Sequence, residues 1–216
     1  MTVHPPKDTT SMVARAYEGL RADVVGGRLF PNQRLIEMDL VAQMGVNRAA
    51  VREALAKLEA EGLVERRANR GAIVRSISPQ ESHDVLDMRL ALETLAVRWA
   101  CERRSEDQVR RLGALVVELS ERAESGDVVG FADRQAALHH LLLDMAHAPL
   151  LTSVVRSLSA QTAQIRRQSL GSPGRLAESL AEHRQIAEAV IAGDADRAAS
   201  EMASHLQHVR DHITLS

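Results

Sequence analysis

The chain has 216 residues, enough for one or two domains. Its 45% hydrophobic and 26% charged residues are typical of a globular protein. We expect neither a signal peptide nor a membrane span. A single cysteine excludes an intrachain disulfide framework and fits a reducing compartment, so we expect a cytoplasmic protein with no membrane partner. Residues 1–75 carry a net charge of +3 and residues 76–216 a net charge of −5, which favours two domains, the first of them facing any polyanion.

Residues 1–75 are predicted to form three helices followed by a β-hairpin. The first helix, in "MVARAYEGLRADVVGG", ends at two glycines, and a short second helix, in "IEMDLVAQMG", ends at Gly45. Asn47 can cap a third helix over 48–61, whose apolar residues lie on one face. The segments "LVE" and "AIVR" on either side of "RRANRG" predict two short strands. This order is that of a winged helix-turn-helix with a small hairpin wing.

The third helix carries two arginines that point to DNA binding. Arg48 and Arg52 are four residues apart on the face opposite the apolar residues, where a recognition helix enters the major groove. A guanidinium can bind phosphate or the O6/N7 edge of guanine bidentately. In the wing, Arg67 and Arg70 can reach phosphates, and Gly71 allows a turn or a close approach of the backbone. The alternative is a solvated face in which Arg52 pairs locally with Glu53 or Glu59.

The stretch from "AYEGLRADVVGGRLFPNQRL" to "GVNRAAVREALAKLEAEGLVERRANRGAIV" resembles the DNA-binding domain of the GntR family of bacterial transcription regulators. The resemblance implies that Arg34, Arg48, Arg52 and Gly71 lie at the DNA, and that Asn47 caps the helix or contacts phosphate. Two departures are mild. Pro31-Asn32 stands where the family usually has Pro-Gly, and Asn47-Arg48-Ala49-Ala50 where it has Ser-Arg-x-Pro.

Residues 76–216 are predicted to form an antiparallel all-α helical bundle, so the whole chain is mostly α. Capping boxes at Ser78 and Ser105 open two helices, and four more are expected at about 128–146, 149–169, 174–191 and 195–213.

Four inward-facing polar residues of this bundle are candidates for binding. Arg89 lies on the apolar face of its helix, where it either pairs with Glu93 or faces a ligand. His139, His183 and His205 lie on the apolar faces of three different helices. They are either hydrogen-bonded core residues or ligands of a divalent transition metal, which neutral imidazoles bind well.

The stretches "DMRLALETLAVRWA", "LHHLLLDMAHAPLL" and "EHRQIAEAVIAGDADRAASEMASHL" are similar to the FCD ligand-binding domain of the FadR subfamily within GntR. In metal-binding members an aspartate and three histidines hold the ion, and the matching positions here are Gln135, His139, His183 and His205. Glutamine at the aspartate position brings no negative charge, so the site is expected to be weaker or to be completed differently. Asp133 is expected to face elsewhere.

The expected function is that of a transcription regulator, by family resemblance a repressor, that binds a double-stranded DNA operator as a homodimer. A small carboxylate effector would be sensed near Arg89, with a divalent metal, zinc or nickel, as cofactor. A metal-dependent enzyme with a DNA-binding tether is the rival, although no inward Glu or Asp is expected beside the histidines as a general base. A third alternative is an architectural DNA-binding protein whose second domain only dimerises.

Overall fold

The computed structural model describes residues 9–67 and 71–214, except for the side chains of residues 9, 10, 67 and 214. The chain divides into two compact units, residues 1–77 and residues 78–216. The described part has no helix that combines the length and the apolar character needed to cross a bilayer.

The first unit is a three-helix domain with a small sheet. Its elements are α1 (Thr9–Val25), β1 (Arg34–Leu35), α2 (Glu37–Met44), α3 (Arg48–Ala60), β2 (Val64–Arg67) and β3 (Gly71–Val74). The apolar face of α3 is fully buried against α1, as the sequence pattern predicts, with Val51, Ala54, Leu55 and Leu58 at 0–1% exposure. Gly45 ends α2 in the left-handed conformation, which glycine adopts without steric cost.

The sheet of the first unit has one strand more than predicted. The strand order is β1-β3-β2, and β1 pairs with β3 through Arg34 opposite Ile73 and Leu35 opposite Ala72. A strand of two residues is too short to show an alternating pattern in the sequence, so β1 was not predicted. Otherwise the predicted winged helix-turn-helix is confirmed, and β1 fixes the base of the wing to the segment that leads into α2.

The second unit is an all-α bundle, as predicted. Its helices are α4 (Pro79–Arg103), α5 (Glu106–Glu124), α6 (Val128–Met145), α7 (Pro149–Ser157), α8 (Ser159–Leu170), α9 (Arg175–Ala192) and α10 (Ala195–Thr214). Helix α10 packs against α4 and α9, and α5 packs against α6 and α9. Ser78 caps α4 by accepting a hydrogen bond from the backbone of Glu81, and the predicted capping box at Ser105, which begins α5, is complete.

The prediction of one helix over 149–169 is wrong. Leu158 has φ −90° and ψ 5°, outside the helical region, and it separates α7 from α8. Its amide donates to Val155 O, three residues back, instead of continuing the helical pattern. Helix α8 therefore takes its own direction in the bundle, where it packs against α10, α4 and α9.

Candidate functional site

The N-terminus of α3 presents the two arginines predicted to read DNA. Asn47 caps the helix, since its Oδ1 accepts a hydrogen bond of 2.8 Å from the amide of Ala50. Arg48 and Arg52 follow on the solvent-facing side, with side chains 59% and 49% exposed. Both guanidinium groups can therefore reach a groove without unfolding any part of the domain.

One carboxylate holds both of these arginines. Glu37, the first residue of α2, accepts from Arg48 Nε at 2.8 Å and from Arg52 Nε at 3.0 Å. The hydrogen bond from Arg48 lowers the pKa of Glu37, although partial burial opposes this. Among the described residues, the terminal nitrogens of the two arginines have no partner, so they remain available to DNA.

The local ion pairs proposed as an alternative for Arg52 do not form. Glu53 instead lies 3.4 Å from Lys57 on the same helix. Glu59 accepts a hydrogen bond from the backbone amide of Arg66 in β2. The pattern of charges along α3 could not reveal the actual partner, because Glu37 belongs to another helix.

Gly71 has a structural reason to be glycine. Its φ is +80°, and a Cβ at this position would lie 2.1 Å from the backbone oxygen of Leu35 in β1. The close backbone approach predicted for Gly71 is thus an approach of β3 to β1. Arg34 is exposed on β1. Arg70 and the side chain of Arg67 lie outside the described residues, and the roles of all these residues at DNA stay predictions.

The second unit brings the three predicted histidines together. His139 lies on α6, His183 on α9 and His205 on α10, and all three are buried. One ring nitrogen from each can be chosen such that all three lie within 4.8 Å of one another. The ring centroids are 4.5 to 5.5 Å apart. The helical periodicity of the sequence therefore predicted this cluster correctly.

Each histidine is held through its Nδ1 atom. An oxygen acceptor lies 2.6–2.7 Å from every Nδ1: Glu93 for His139, the backbone oxygen of Ser179 for His183, and Glu182 for His205. These oxygens can only accept, so each neutral ring carries its proton on Nδ1 and leaves Nε2 unprotonated. The three Nε2 lone pairs are thus free to bind a cation, and Nδ1 partners of this kind are typical of metal-binding histidines.

The electrostatics of the cluster favour neutral imidazoles. Burial lowers the pKa of His205 to about 4, even though its hydrogen bond to Glu182 opposes the shift. Burial, together with the two neighbouring histidines, lowers the pKa of His183 well below its usual range. His139 Nε2 and His183 Nε2 are 3.1 Å apart. Two imidazoles bound to one tetrahedral ion at about 2.0–2.1 Å have nitrogens about 3.3 Å apart, so this pair of nitrogens has a spacing that fits a shared metal ion.

Gln135 lines the same cavity as His205 and is the fourth predicted metal ligand. It lies one turn before His139 on α6 and is buried, and its Oε1 accepts no hydrogen bond from any residue that the structure describes. A buried acceptor without a donor is costly, and a cation would satisfy it. Asp133 is exposed, as expected.

Arg89 forms the ion pair that the sequence offered as one of two alternatives. Its Nε donates to Glu93 Oε1 at 2.6 Å, and both side chains are at most 6% exposed. The other oxygen of Glu93 accepts from His139, and the two cationic or donor partners lower the pKa of Glu93 despite its burial. The expectation that no acid stands beside the histidines is wrong, because Glu93 and Glu182 both contact one.

A narrow cavity of about 10 Å³, which is room for about one water molecule, adjoins the cluster and is partly open to solvent. Its polar lining consists of Arg89, Gln135, Arg166, Ser169, Arg175, Ser179 and His205. Sequence reasoning missed four of these, namely Arg166, Ser169, Arg175 and Ser179. A signal was present in the α8 sequence "SAQTAQIRRQSL", which is polar yet largely buried. Such a helix in an apolar bundle indicates a polar cavity.

Arg175 is fully buried and neutralised within the protein. Its two terminal nitrogens bind the two oxygens of Glu182 at 2.7 Å each, and its Nε lies 3.3 Å from Ser169 Oγ. Hydrogen bonds from His205 and from Arg175 lower the pKa of Glu182 to about 2, against the effect of its burial. Glu182 thereby links the first turn of α9 to the histidine cluster.

Comparison with known proteins bears on both units. Residues 12–74 match the family described as bacterial regulatory proteins, gntR family, and residues 84–208 match the FCD domain. The fold is similar to that of E. coli McbR/YncC, with a TM-score of 0.82 at 21% identity over 91% of this chain and 93% of that one. It is also similar to a GntR protein from Rhodococcus sp. RHA1, with a TM-score of 0.81 at 22% identity over 95% and 99%.

Two curated relatives align with most or all of this chain. The HTH-type transcriptional repressor RspR of Escherichia coli K12 is 27% identical over 99% of this chain and 94% of its own length. The Nta operon transcriptional regulator of Aminobacter aminovorans is 31% identical over 60% and 61%. These relatives are transcription regulators and not enzymes, in agreement with the prediction that this chain is not an enzyme. The chain belongs to the GntR family of transcription regulators and carries an FCD domain.

Proposed function

We propose that this regulator is a repressor of the FadR type, which binds a near-palindromic operator as a homodimer and responds to a small organic acid through a metal-containing FCD domain. The observation that carries the proposal is the cluster of three buried imidazoles, whose Nδ1 atoms are all engaged and each of which offers a ring nitrogen within 4.8 Å of the other two. A core that needed only hydrogen-bonded histidines would not leave three acceptor nitrogens facing one another.

The DNA-binding part of the proposal rests on α3 and the wing. Arg48 and Arg52 are exposed, lie at the N-terminus of the recognition helix and keep their terminal nitrogens available. A two-fold symmetric dimer places two such helices on two half-sites, which is why the operator is expected to be near-palindromic.

The metal would be held by His139, His183 and His205, with Gln135 Oε1 as a further oxygen ligand. Imidazole suits first-row transition ions, of which zinc and nickel are the most plausible. When bound, the ion supplies positive charge that attracts an anionic ligand. Glu93 and Glu182 accept from the Nδ1 atoms of two of the imidazoles and orient them, so their negative charges would offset part of that positive charge.

The effector would enter the cavity and meet Arg89. The Nε of Arg89 is bound to Glu93, while its terminal nitrogens have no partner among the described residues. A carboxylate could then bridge the metal and Arg89. The bound acid would shift the relative placement of the DNA-binding domains in the dimer and so change operator affinity.

The DNA-binding part is tested by Arg48→Ala and Arg52→Ala. Each should leave the fold intact and weaken operator binding. A base-reading arginine should cost about 1–3 kcal/mol and relax specificity at one position, whereas a phosphate-reading arginine should weaken all sequences alike and flatten the salt dependence. Binding titrations at several salt concentrations distinguish the two roles. If both variants bind the operator as tightly as the parent protein does, α3 is not the helix that reads the DNA.

The metal and effector part is tested by Gln135→Asp and His183→Ala. An aspartate adds a negative ligand, so Gln135→Asp should tighten metal binding and weaken the response to acids, whereas His183→Ala should weaken both. Metal content after dialysis and calorimetric titration with a series of small carboxylates measure the two effects. Full acid affinity in metal-free protein would refute the bridge and leave the histidines as core residues.

A further inference from the structure

Two guanidinium groups face the cavity beside the histidine cluster. Arg89 comes from α4 and Arg166 from α8, and both line the same space. Arg89 has one ion pair, through its Nε to Glu93. Arg166 is partly buried, and it forms no hydrogen bond or ion pair with any residue in the described part of the chain. The cavity therefore contains more donors than its own walls satisfy.

The charges around the cavity do not balance. Arg175 is matched by the bidentate contact with Glu182, and Arg89 is matched by Glu93. That leaves Arg166 as an excess positive charge, and a divalent ion on the histidines would add two more. Burial, and next the nearby charge of Arg89, lower the pKa of Arg166 to about 10, so it stays charged at neutral pH. The charges of Glu93 and Asp133 lie near enough to oppose this shift, but neither carboxylate hydrogen-bonds Arg166.

A partly buried cation that has no acid as a partner leaves positive charge at the cavity, which an anionic ligand would balance. The remainder of α8 supports a ligand role, because Ser169 lines the same cavity and the helix has too few apolar residues to serve only as packing. A monocarboxylate that bound Arg89 would leave Arg166 uncompensated. A ligand with a second carboxylate would satisfy both guanidinium groups, each through charge-assisted hydrogen bonds.

We propose that the effector is a dicarboxylic acid, one carboxylate of which binds on the side of Arg89 while the other binds Arg166. The inference rests on the proposed function, since it names the class of acid that the FCD domain senses. It assigns to Arg166 the task of selecting diacids over monoacids.

The experiment compares acids matched in carbon number on the metal-loaded full-length protein at constant ionic strength. The pairs are propionate with malonate, butyrate with succinate, valerate with glutarate, and hexanoate with adipate. In at least one pair the diacid should bind about tenfold or more tightly than the monoacid, and it should raise the Tm at concentrations where the monoacid does not. Metal content is measured after each titration, because diacids chelate metals, and inorganic phosphate serves as a dianion with a single anionic group.

Variants assign the preference to Arg166. Arg166→Gln should remove the diacid advantage, whereas Arg166→Lys, which keeps the charge, should retain part of it. Without any acid, Arg166→Gln should raise the Tm, because an uncompensated charge is removed; a purely structural arginine would give the opposite sign. The matched control is Arg110→Gln on α5, whose arginine is exposed and lies 3.1 Å from Asp107. It should change neither the Tm without acid nor the diacid preference.

Three results would overturn the inference: diacids that bind no better than monoacids, an undiminished preference in Arg166→Gln, or phosphate that binds as tightly as the best diacid. If monoacids bind equally well and release the operator, the proposed function stands and only the diacid inference fails. If no acid binds at all, the effector part of the proposed function fails as well. In that case, metal retention tests the metal part of the proposed function, and operator binding tests the DNA-binding part.

Discussion

At the scale of single residues, Glu37 has an unusual position for a surface carboxylate, because it lies between the two arginines that are expected to read DNA. It accepts from both Nε atoms and is only 15% exposed in its side chain. Exposed ion pairs of this kind contribute little to stability. Their use here is geometric, since the acid restrains two flexible side chains and adds a negative charge that opposes indiscriminate contact with phosphate.

We therefore expect Glu37→Gln to change DNA binding more than folding. Loss of the carboxylate should raise the affinity for non-specific DNA, steepen its salt dependence and lower the ratio of specific to non-specific binding. Competition titrations with operator and random duplexes measure that ratio. Glu53→Gln is the control, because Glu53 lies on α3 with the two arginines but, among the described residues, pairs with Lys57. An unchanged ratio in Glu37→Gln would mean that the acid does not restrain the arginines at the DNA.

Glu93 gives a second prediction at this scale. Its carboxylate fixes the ring of His139 and directs the Nε2 toward the cluster. Removal of such a partner typically lowers metal affinity about 10–100-fold, so Glu93→Gln should weaken zinc binding by that factor. Competition with a chromophoric chelator measures the change. The control is Glu118→Gln on α5, where the acid is half-buried and binds Arg134; an equal loss in both variants would indicate a general effect of charge.

At the scale of elements, the wing depends on the contact between β1 and β3. Gly71 combines a positive φ with a Cβ position that overlaps Leu35 O, whereas Gly45 has a positive φ with nothing within 4 Å. Gly71→Ala should therefore destabilise the first unit by more than the roughly 1–3 kcal/mol of backbone strain alone, and Gly45→Ala by no more than that strain. Urea denaturation of the two variants separates the clash from the strain. Equal losses would show that β1 can move away.

The elements also show which features of the fold can be predicted from the sequence. The cap at Asn47, the buried face of α3 and the inward histidines depend on local spacing, so periodicity predicted them. The partners that hold those groups are distant in sequence: Glu93 is 46 residues from His139, and Glu37 is 15 residues from Arg52. No local pattern encodes such contacts. The break at Leu158 was missed for a similar reason, because the residues around it are ordinary helix formers.

At the scale of the whole molecule, the second unit contains a group of buried titratable residues whose combined effect is a dependence of stability on pH. The imidazoles of His139, His183 and His205 all have lowered pKa values because burial favours their neutral form. Glu93 and Glu182 have lowered pKa values because their partners favour the charged form. Folding therefore requires neutral histidines next to ionised acids.

The three histidines and the two acids both contribute less to stability as the pH falls, the histidines in a higher pH range than the acids. Below the ordinary histidine pKa of about 6.5, the unfolded chain binds protons that the folded chain does not, so stability falls with pH until the folded pKa is reached, which for His205 is about 4. The two acids contribute stability above their ordinary pKa of about 4.5, and Glu182 loses its share as pH falls toward its folded value of about 2. The bundle should thus be most stable from neutral pH upward.

We expect the metal-free protein to show little pH dependence from these groups between about pH 7.5 and 8.5, and to lose about 2 kcal/mol from His205 alone between pH 7.5 and pH 5. Trp99, the only tryptophan, lies in α4, so its fluorescence reports unfolding of the bundle specifically. In His205→Asn the amide can still donate to Glu182 but cannot titrate. The loss of stability between pH 7.5 and pH 5 should therefore be smaller in this variant by about the contribution of His205. A variant that kept the full slope would exclude His205 as a source of the pH dependence, because no other change separates the two proteins.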